Sequence, residues 1–255
     1  MKKFAAVFAD AALLVAAPVT MALAATCAIV PSTTAKAQPA TDDATALDPA
    51  FLEKLRVALR EHPELVVIAS TEHERRQREE QMKMLTQRAD AARADLSKAD
   101  TIGLVMGNPA GSQTYIEFLD YRCGFCKRAH DEVNQLIADS NDARIVAIMR
   151  PILGPDSETL ARFAMAAEKQ GKFVQANNYL YENEVASDDA GLQQAAEAIG
   201  ADWAKLRTAM TSADVTARLA EHTRIGDELE VHGTPFFITP TKVHPGYVPF
   251  DQLKG

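Results

Sequence analysis

The spacing of apolar positions changes several times along this chain, and each change marks an element. From Met1-Lys2-Lys3 an apolar stretch rich in Ala, Leu and Val runs to about Val30. Residues 38 to about 48 are small and polar without periodicity, which reads as a flexible lead-in. Asp48-Pro49 then offers a cap followed by proline at the first turn, so a helix is expected with Phe51, Leu55, Val57 and Leu59 on its apolar side. Pro63 breaks it. From Glu64 to about Lys98 there is no Gly or Pro, and the density of Glu, Arg, Gln, Lys and Ala predicts one long helix. Its second half sets Met82, Leu85, Ala89, Ala92 and Leu96 at alternating three- and four-residue steps, a short heptad seam. A seam this narrow cannot build its own core, which leaves two uses for it: packing on a main domain, or self-association of the N-terminal region.

Gly107-Asn108-Pro109-Ala110-Gly111 punctuates the chain and marks the border of that main domain. Ile102 to Met106 reads as a short first strand, paired through this turn with a second at Gln113 to Leu119. Phe125, Ala129, Val133, Leu136 and Ile137 then follow a helical period, and the β-branched run Ala143 to Met149 reads as a buried strand, so together they make a βαβ unit. A helical block follows, capped at Asp156 or Ser157 and running to about Glu228. Its first helix holds Ala161 to Phe173, its second Ala176 to Tyr181, and later ones Ala195 to Leu206. Phe236 to Thr239 and Lys242 to Val248 form an expected hairpin, and Pro249 to Leu253 can make barely one helical turn. The pattern predicts three parts: 1–37, a helical N-terminal extension at 38–100, and an α/β domain at 101–255 with a helical insertion at about 157–228.

Composition narrows this picture. The chain has 255 residues, 47% hydrophobic and 24% charged, with net charge -8, enough for one good-sized core. The acidic balance with scattered bases argues against nucleic acid as a partner. The basic start, the apolar stretch and the small-residue site Ala35-Lys36-Ala37 predict a signal peptide cut after Ala37, hence export to a bacterial periplasm; a cut after Ala24 is an alternative. Of the three cysteines, Cys27 falls in this leader, which leaves Cys123 and Cys126 for the mature protein.

The chemistry concentrates at Cys123-Gly124-Phe125-Cys126, where the strand pattern gives way to the helix pattern. A free thiol with its usual pKa of about 8.5 is mostly protonated at neutral pH, and a helix N-terminus stabilises the thiolate. Cys123, at the first turn, is therefore the expected nucleophile, and Cys126, one turn in, the resolving thiol. Gly124 is expected to let the turn close tightly. Zinc or copper held by Cys123, Cys126 and a histidine such as His130 is an alternative, as is a structural disulfide. Haem attachment is excluded, because Lys127 stands where histidine is needed. Glu117 in an otherwise apolar strand has two readings, a solvent-facing carboxylate or, if buried beneath the cysteines, a proton acceptor for Cys126. Thr234-Pro235 reads locally as a turn into a strand; only about one X-Pro bond in twenty is cis.

The ordered set Glu117-Phe118-Leu119-Asp120-Tyr121, Cys123-Gly124-Phe125-Cys126, Pro151-Ile152-Leu153-Gly154 and Gly233-Thr234-Pro235-Phe236 resembles the DsbA-like family of thiol-disulfide oxidoreductases. The resemblance implies a thioredoxin fold with an inserted helical domain, Cys123 as nucleophile, Cys126 as resolving thiol, Glu117 as the buried acid, and a cis Pro235 against the cysteine pair with Thr234 binding substrate backbone. It implies protein substrates, no cofactor, and a membrane redox partner that recycles the site. Gly124-Phe125 and Thr234 look like the disulfide isomerases and reductases more than the dedicated oxidases of that family. The N-terminal extension looks like that of the suppressor-of-copper-sensitivity group, which implies a homo-oligomer, trimer or dimer.

Overall fold

A computed structural model describes residues 48–97 and 103–254; the expected leader, its cleavage sites and Cys27 lie outside the described residues. Two helices come first, α1 (Pro49–Glu61) and α2 (Glu64–Ser97), separated at Pro63 as the sequence predicts. The carboxylate of Asp48 accepts from the Ala50 N–H at 3.1 Å, the capping bond expected at that start. The chain divides into a unit ending at Glu61, which contains α1, and a unit from His62 onward. Within the first, Phe51, Leu55, Val57 and Leu59 are all exposed.

The second unit is built on β1 (Leu104–Gly107), β2 (Gln113–Leu119), β3 (Ala143–Met149), β4 (Phe236–Ile238) and β5 (Val243–His244), in the order β1-β3-β2-β4-β5. Only β2 and β3 are parallel, and α3 (Gly124–Asp139) connects them. One expectation fails here: β1 pairs antiparallel with β3, from Leu104↔Ala147 to Gly107↔Arg144, and not with β2. The reason is occupancy. β2 has β3 on one side and β4 on the other (Ile116↔Ile238), so the free edge belongs to β3. Gly107 makes the switch possible, because its φ is 73° and a Cβ there would lie 2.5 Å from the Ala143 carbonyl oxygen.

Alternation along β2 and β3 splits the core into two. Tyr115, Leu119, Ile145, Ala147 and Met149 face one layer, with α3 and the helices α4 (Pro155–Glu168), α5 (Phe173–Glu182), α6 (Asp189–Ala198) and α7 (Trp203–Met210). Ile116, Phe118, Val146 and Ile148 face the other, with Phe236 and Ile238, and are covered by Ile225 and Leu229 at the end of α8 (Ala213–Glu228) and by Ala89 and Leu96 of α2. With both faces covered, β3 is buried along its whole length. The heptad seam of α2 is thus laid on the sheet, while Leu65, Val66, Val67 and Ile68 at its start are exposed.

The helical insertion follows the predicted block, with Asp188, Asp202 and Ser212 side chains capping α6, α7 and α8. Phe173 opens α5 instead of closing α4, since the chain passes through the left-handed Gly171 (φ 67°) just before it. A last short helix, α9 (Phe250–Lys254), follows β5.

Candidate active site

Asp120 organises the turn after β2. Its carboxylate accepts from the N–H groups of Arg122 (2.8 Å), Ile152 (2.9 Å) and Leu153 (3.1 Å), so one buried side chain joins the cysteine turn to the Pro151-Ile152-Leu153-Gly154 segment. The Cys123 N–H bonds the Asp120 carbonyl at 3.0 Å, and Cys123, with extended φ and ψ of -81° and 115°, becomes the N-cap of α3. Cys123 is buried but for 8% of its surface, whereas Cys126, one turn into α3, is fully buried. Both are free thiols. Gly124 does not play the part expected of it: a Cβ there would meet nothing within 4 Å and its φ is not left-handed, so the turn closes without needing glycine.

The Thr234-Pro235 peptide bond is cis. The Cys123 thiol donates to the Thr234 carbonyl at 3.1 Å, bringing together two segments more than a hundred residues apart. The thiol of Cys126, the Thr234 side chain and the backbone N–H groups of Cys126 and Phe125 outweigh burial and hold the Cys123 pKa down at about 5. Burial drives Cys126 the other way, well above the ordinary thiol value, with the Cys123 sulfur and the Glu117 charge adding to it. The pair is therefore split into a readily ionised thiol at the N-cap of α3 and a protonated one deeper inside.

Glu117 lies on the β2 face that carries Tyr115 and Leu119, flanked across the sheet by Ala147 and Phe237, so it is buried on the side of the cysteines and not in solvent. Desolvation raises its pKa to about 8. Such a carboxyl can take or give a proton near neutral pH.

Two further side chains, Tyr181 and Asn177, enter the site without a local signal in the sequence. Tyr181 of α5 stacks 4.9 Å from the Tyr121 ring and 5.1 Å from that of His130, and Tyr121 donates to Asn177 Oδ1 at 3.1 Å. Their burial pushes both tyrosines well above the usual phenol value, and charge at Cys126 and Glu117 adds to it. His130 spends its Nε2 on Asn134 (3.0 Å). Among the described residues no three His, Cys, Asp or Glu side chains form a group able to hold a metal ion.

The DSBA-like thioredoxin domain, as a family, matches residues 114–255, more than half of the chain and the whole of the site just described. The chain belongs to this DsbA-like family. Similar solved structures include a thioredoxin-like oxidoreductase from Silicibacter pomeroyi (34% identical, covering 63% of this chain and 92% of that one, TM-score 0.59). BcfH of Salmonella enterica Typhimurium is 25% identical over 80% of this chain and 92% of its own, with TM-score 0.67. ScsC of Proteus mirabilis in a transitional conformation, 19% identical over 82% and 95% with TM-score 0.59, shares the fold. A curated relative, the Na(+)/H(+) antiporter NhaA 3 of Salinispora tropica, is 27% identical over 153 residues, but the chain spans only 24% of its length. Among the described residues no helix is long and apolar enough to cross a membrane.

Proposed function

We propose that this protein is an exported enzyme that exchanges disulfides in other proteins, as an isomerase or reductase. The Cys123 thiolate attacks a substrate disulfide, one substrate sulfur leaves as a thiolate, and a mixed disulfide to Cys123 remains. Cys126 then gives its proton to Glu117 and attacks the Cys123 sulfur; the second substrate sulfur departs and Cys123 and Cys126 are left joined. Thr234 and Pro235 hold the substrate chain during both steps, and a membrane redox partner returns the pair to its working state. The observation that carries the reading is the Cys123 sulfur itself, held at the N-cap of α3 and 3.1 Å from the carbonyl that precedes a cis proline, with its pKa lowered to about 5. Gly124-Phe125 and Thr234 support isomerase or reductase over oxidase.

A Cys126→Ser variant incubated with a scrambled disulfide protein should accumulate a Cys123-linked mixed disulfide, and Cys123→Ser should be inactive. Refolding of the scrambled protein by Cys123→Ser would overturn the proposal.

One observation favours a second reading, a dithiol oxidase. A thiolate as stabilised as Cys123 favours the reduced form, and that makes the oxidised form a stronger oxidant. A reduction potential near about -120 mV would decide for the oxidase, and one of about -180 mV or lower for the isomerase or reductase.

The predicted leader supports a periplasmic location, and one structural neighbour is described as a periplasmic thioredoxin-like protein from Salmonella enterica. Residues 38–100 are proposed as the region through which copies associate. The exposed Leu65, Val66, Val67 and Ile68 support this, since the seam further along α2 is spent on the sheet.

A further inference from the structure

A hollow of about 450 Å³ lies between the start of α3 and the segment that follows α5, a size in the range of small-molecule sites. Tyr121, Leu180, Tyr181 and Val185 line it together with two cations, Arg122 and Lys127, which bracket the nucleophile in sequence. Arg122 directly precedes Cys123; its guanidinium donates to the Val185 carbonyl at 2.9 Å and stands 3.7 Å from the exposed Asp156. Lys127 comes one turn after Cys123, and its N–H bonds the Cys123 carbonyl at 3.0 Å, so the two residues share one face at the start of α3. Among the described residues the Lys127 ammonium has no hydrogen-bond or ion-pair partner. Among the described residues that line the hollow, Glu184 alone is acidic.

We propose that this hollow binds the carboxylate of a short acidic peptide disulfide, a small molecule that exchanges electrons with the cysteine pair alongside protein substrates, and that Lys127 is the residue that selects it. The proposal rests on the exchange reading above. Reach favours it. A partner sulfur joined to Cys123 lies about 2 Å from it, and a carboxylate one residue further stands about 3.3 Å along an extended chain, within range of a lysine one turn away. Charge favours it as well. The chain carries net charge -8, so the field of the whole protein repels acids, and a preference for one needs a local cation that is not already spent. Arg122 shares its charge with Asp156, which leaves Lys127 to supply it. In the exchange, the Cys123 thiolate attacks the S–S bond of the small disulfide; one half stays bonded to Cys123 and the other leaves as a thiolate. Cys126 then passes its proton to Glu117 and attacks the Cys123 sulfur, and the second half leaves, so two electrons move from the pair to the small disulfide. Run backward, the acidic thiol reduces the pair.

The test uses the reduced mature chain and three probes: oxidised glutathione, whose glycine carboxylate follows its cysteine; the diethyl ester that blocks that carboxylate; and uncharged 2-hydroxyethyl disulfide. Each rate constant is divided by that of the same variant with 2-hydroxyethyl disulfide, which removes changes in Cys123 reactivity. The wild type should prefer the acid to its ester about fivefold, the upper end for one exposed ion pair. Lys127→Gln should bring this ratio close to one, and Glu184→Gln should raise it. Arg128→Gln makes the same charge change one residue away, but Arg128 lies over the rings of Phe125 and Tyr247 and outside the hollow, so the ratio should stay as in the wild type. Equal wild-type rates for acid and ester would overturn the assignment while leaving the exchange reading intact. So would a ratio that Lys127→Gln leaves unchanged, or one that Arg128→Gln lowers as far, since diffuse charge would then explain it. If the wild type exchanged with none of the three probes, the exchange reading itself would fall and take the site with it.

Discussion

Arg150 lies flat against Gly226, so close that a methyl group at position 226 would sit 2.9 Å from its Cδ and Nε. The guanidinium donates to the carbonyls of Val231 (3.1 Å) and Thr223 (3.2 Å) and pairs with Asp227 at 2.7 Å. Its backbone N–H bonds the Leu119 carbonyl at 2.7 Å. One residue thereby links the end of β2, where the cysteine turn begins, to the approach to Thr234-Pro235.

Gly226→Ala tests that link. Alanine gains up to about 1 kcal/mol of helix propensity, while overpacking costs about 1–3 kcal/mol. Arginine tips usually move aside, but this one is pinned by three partners and is 9% exposed, so overpacking should win. Urea unfolding should show a loss of about 1–2 kcal/mol. Stability equal to or above wild type would mean that Arg150 can be displaced freely.

Cys123 should betray its ionisation by reactivity. Alkylation of the reduced protein should rise with a midpoint near pH 5, where an ordinary thiol is inert, and mass mapping should place the label on Cys123 with Cys126 untouched at neutral pH. A midpoint near the ordinary thiol value of about 8.5 would show that the Cys126, Thr234 and helix contacts do not stabilise the thiolate.

Glu117→Gln separates burial from chemistry. A carboxyl raised from 4.5 to about 8 keeps its proton longer in the folded state, so its destabilising effect is absent below pH 4.5 and grows as pH rises to about 8. The variant's stability relative to wild type should therefore climb across that window, by on the order of a few kcal/mol, while release of substrate from the mixed disulfide slows. A stability difference that stayed flat with pH would place the carboxyl in solvent.

How far the sequence carried these conclusions depended on distance along the chain. Local signals sufficed for the break at Pro63, the cap at Asp48 and the buried run of β3, where propensity and pattern agree. They also sufficed to place Cys123 at the start of α3, because a cysteine at a strand-to-helix junction is a local feature. The pairing of β1 was not legible, since it depends on β4 returning from the far end of the chain to occupy the other edge of β2. Tyr181 and Asn177 reach Tyr121 from the helical insertion, and no periodicity announces such a meeting. Asp120 stood inside a quoted motif, yet its bonds to Ile152 and Leu153 needed the fold to be seen. Alternation alone left Glu117 undecided between solvent and core; the helices that cover the Tyr115 and Leu119 face bury it.

The covering of Phe118, Ile148 and Phe236 by Ala89 and Leu96 has a consequence for inheritance. The span shared with the family starts at Thr114, and a piece cut there would carry neither β1, which closes the outer edge of β3, nor the part of α2 that roofs the far face of the sheet. Such a piece would be sticky on one side. Recombination that passed on the cysteine domain alone would move an unfinished core.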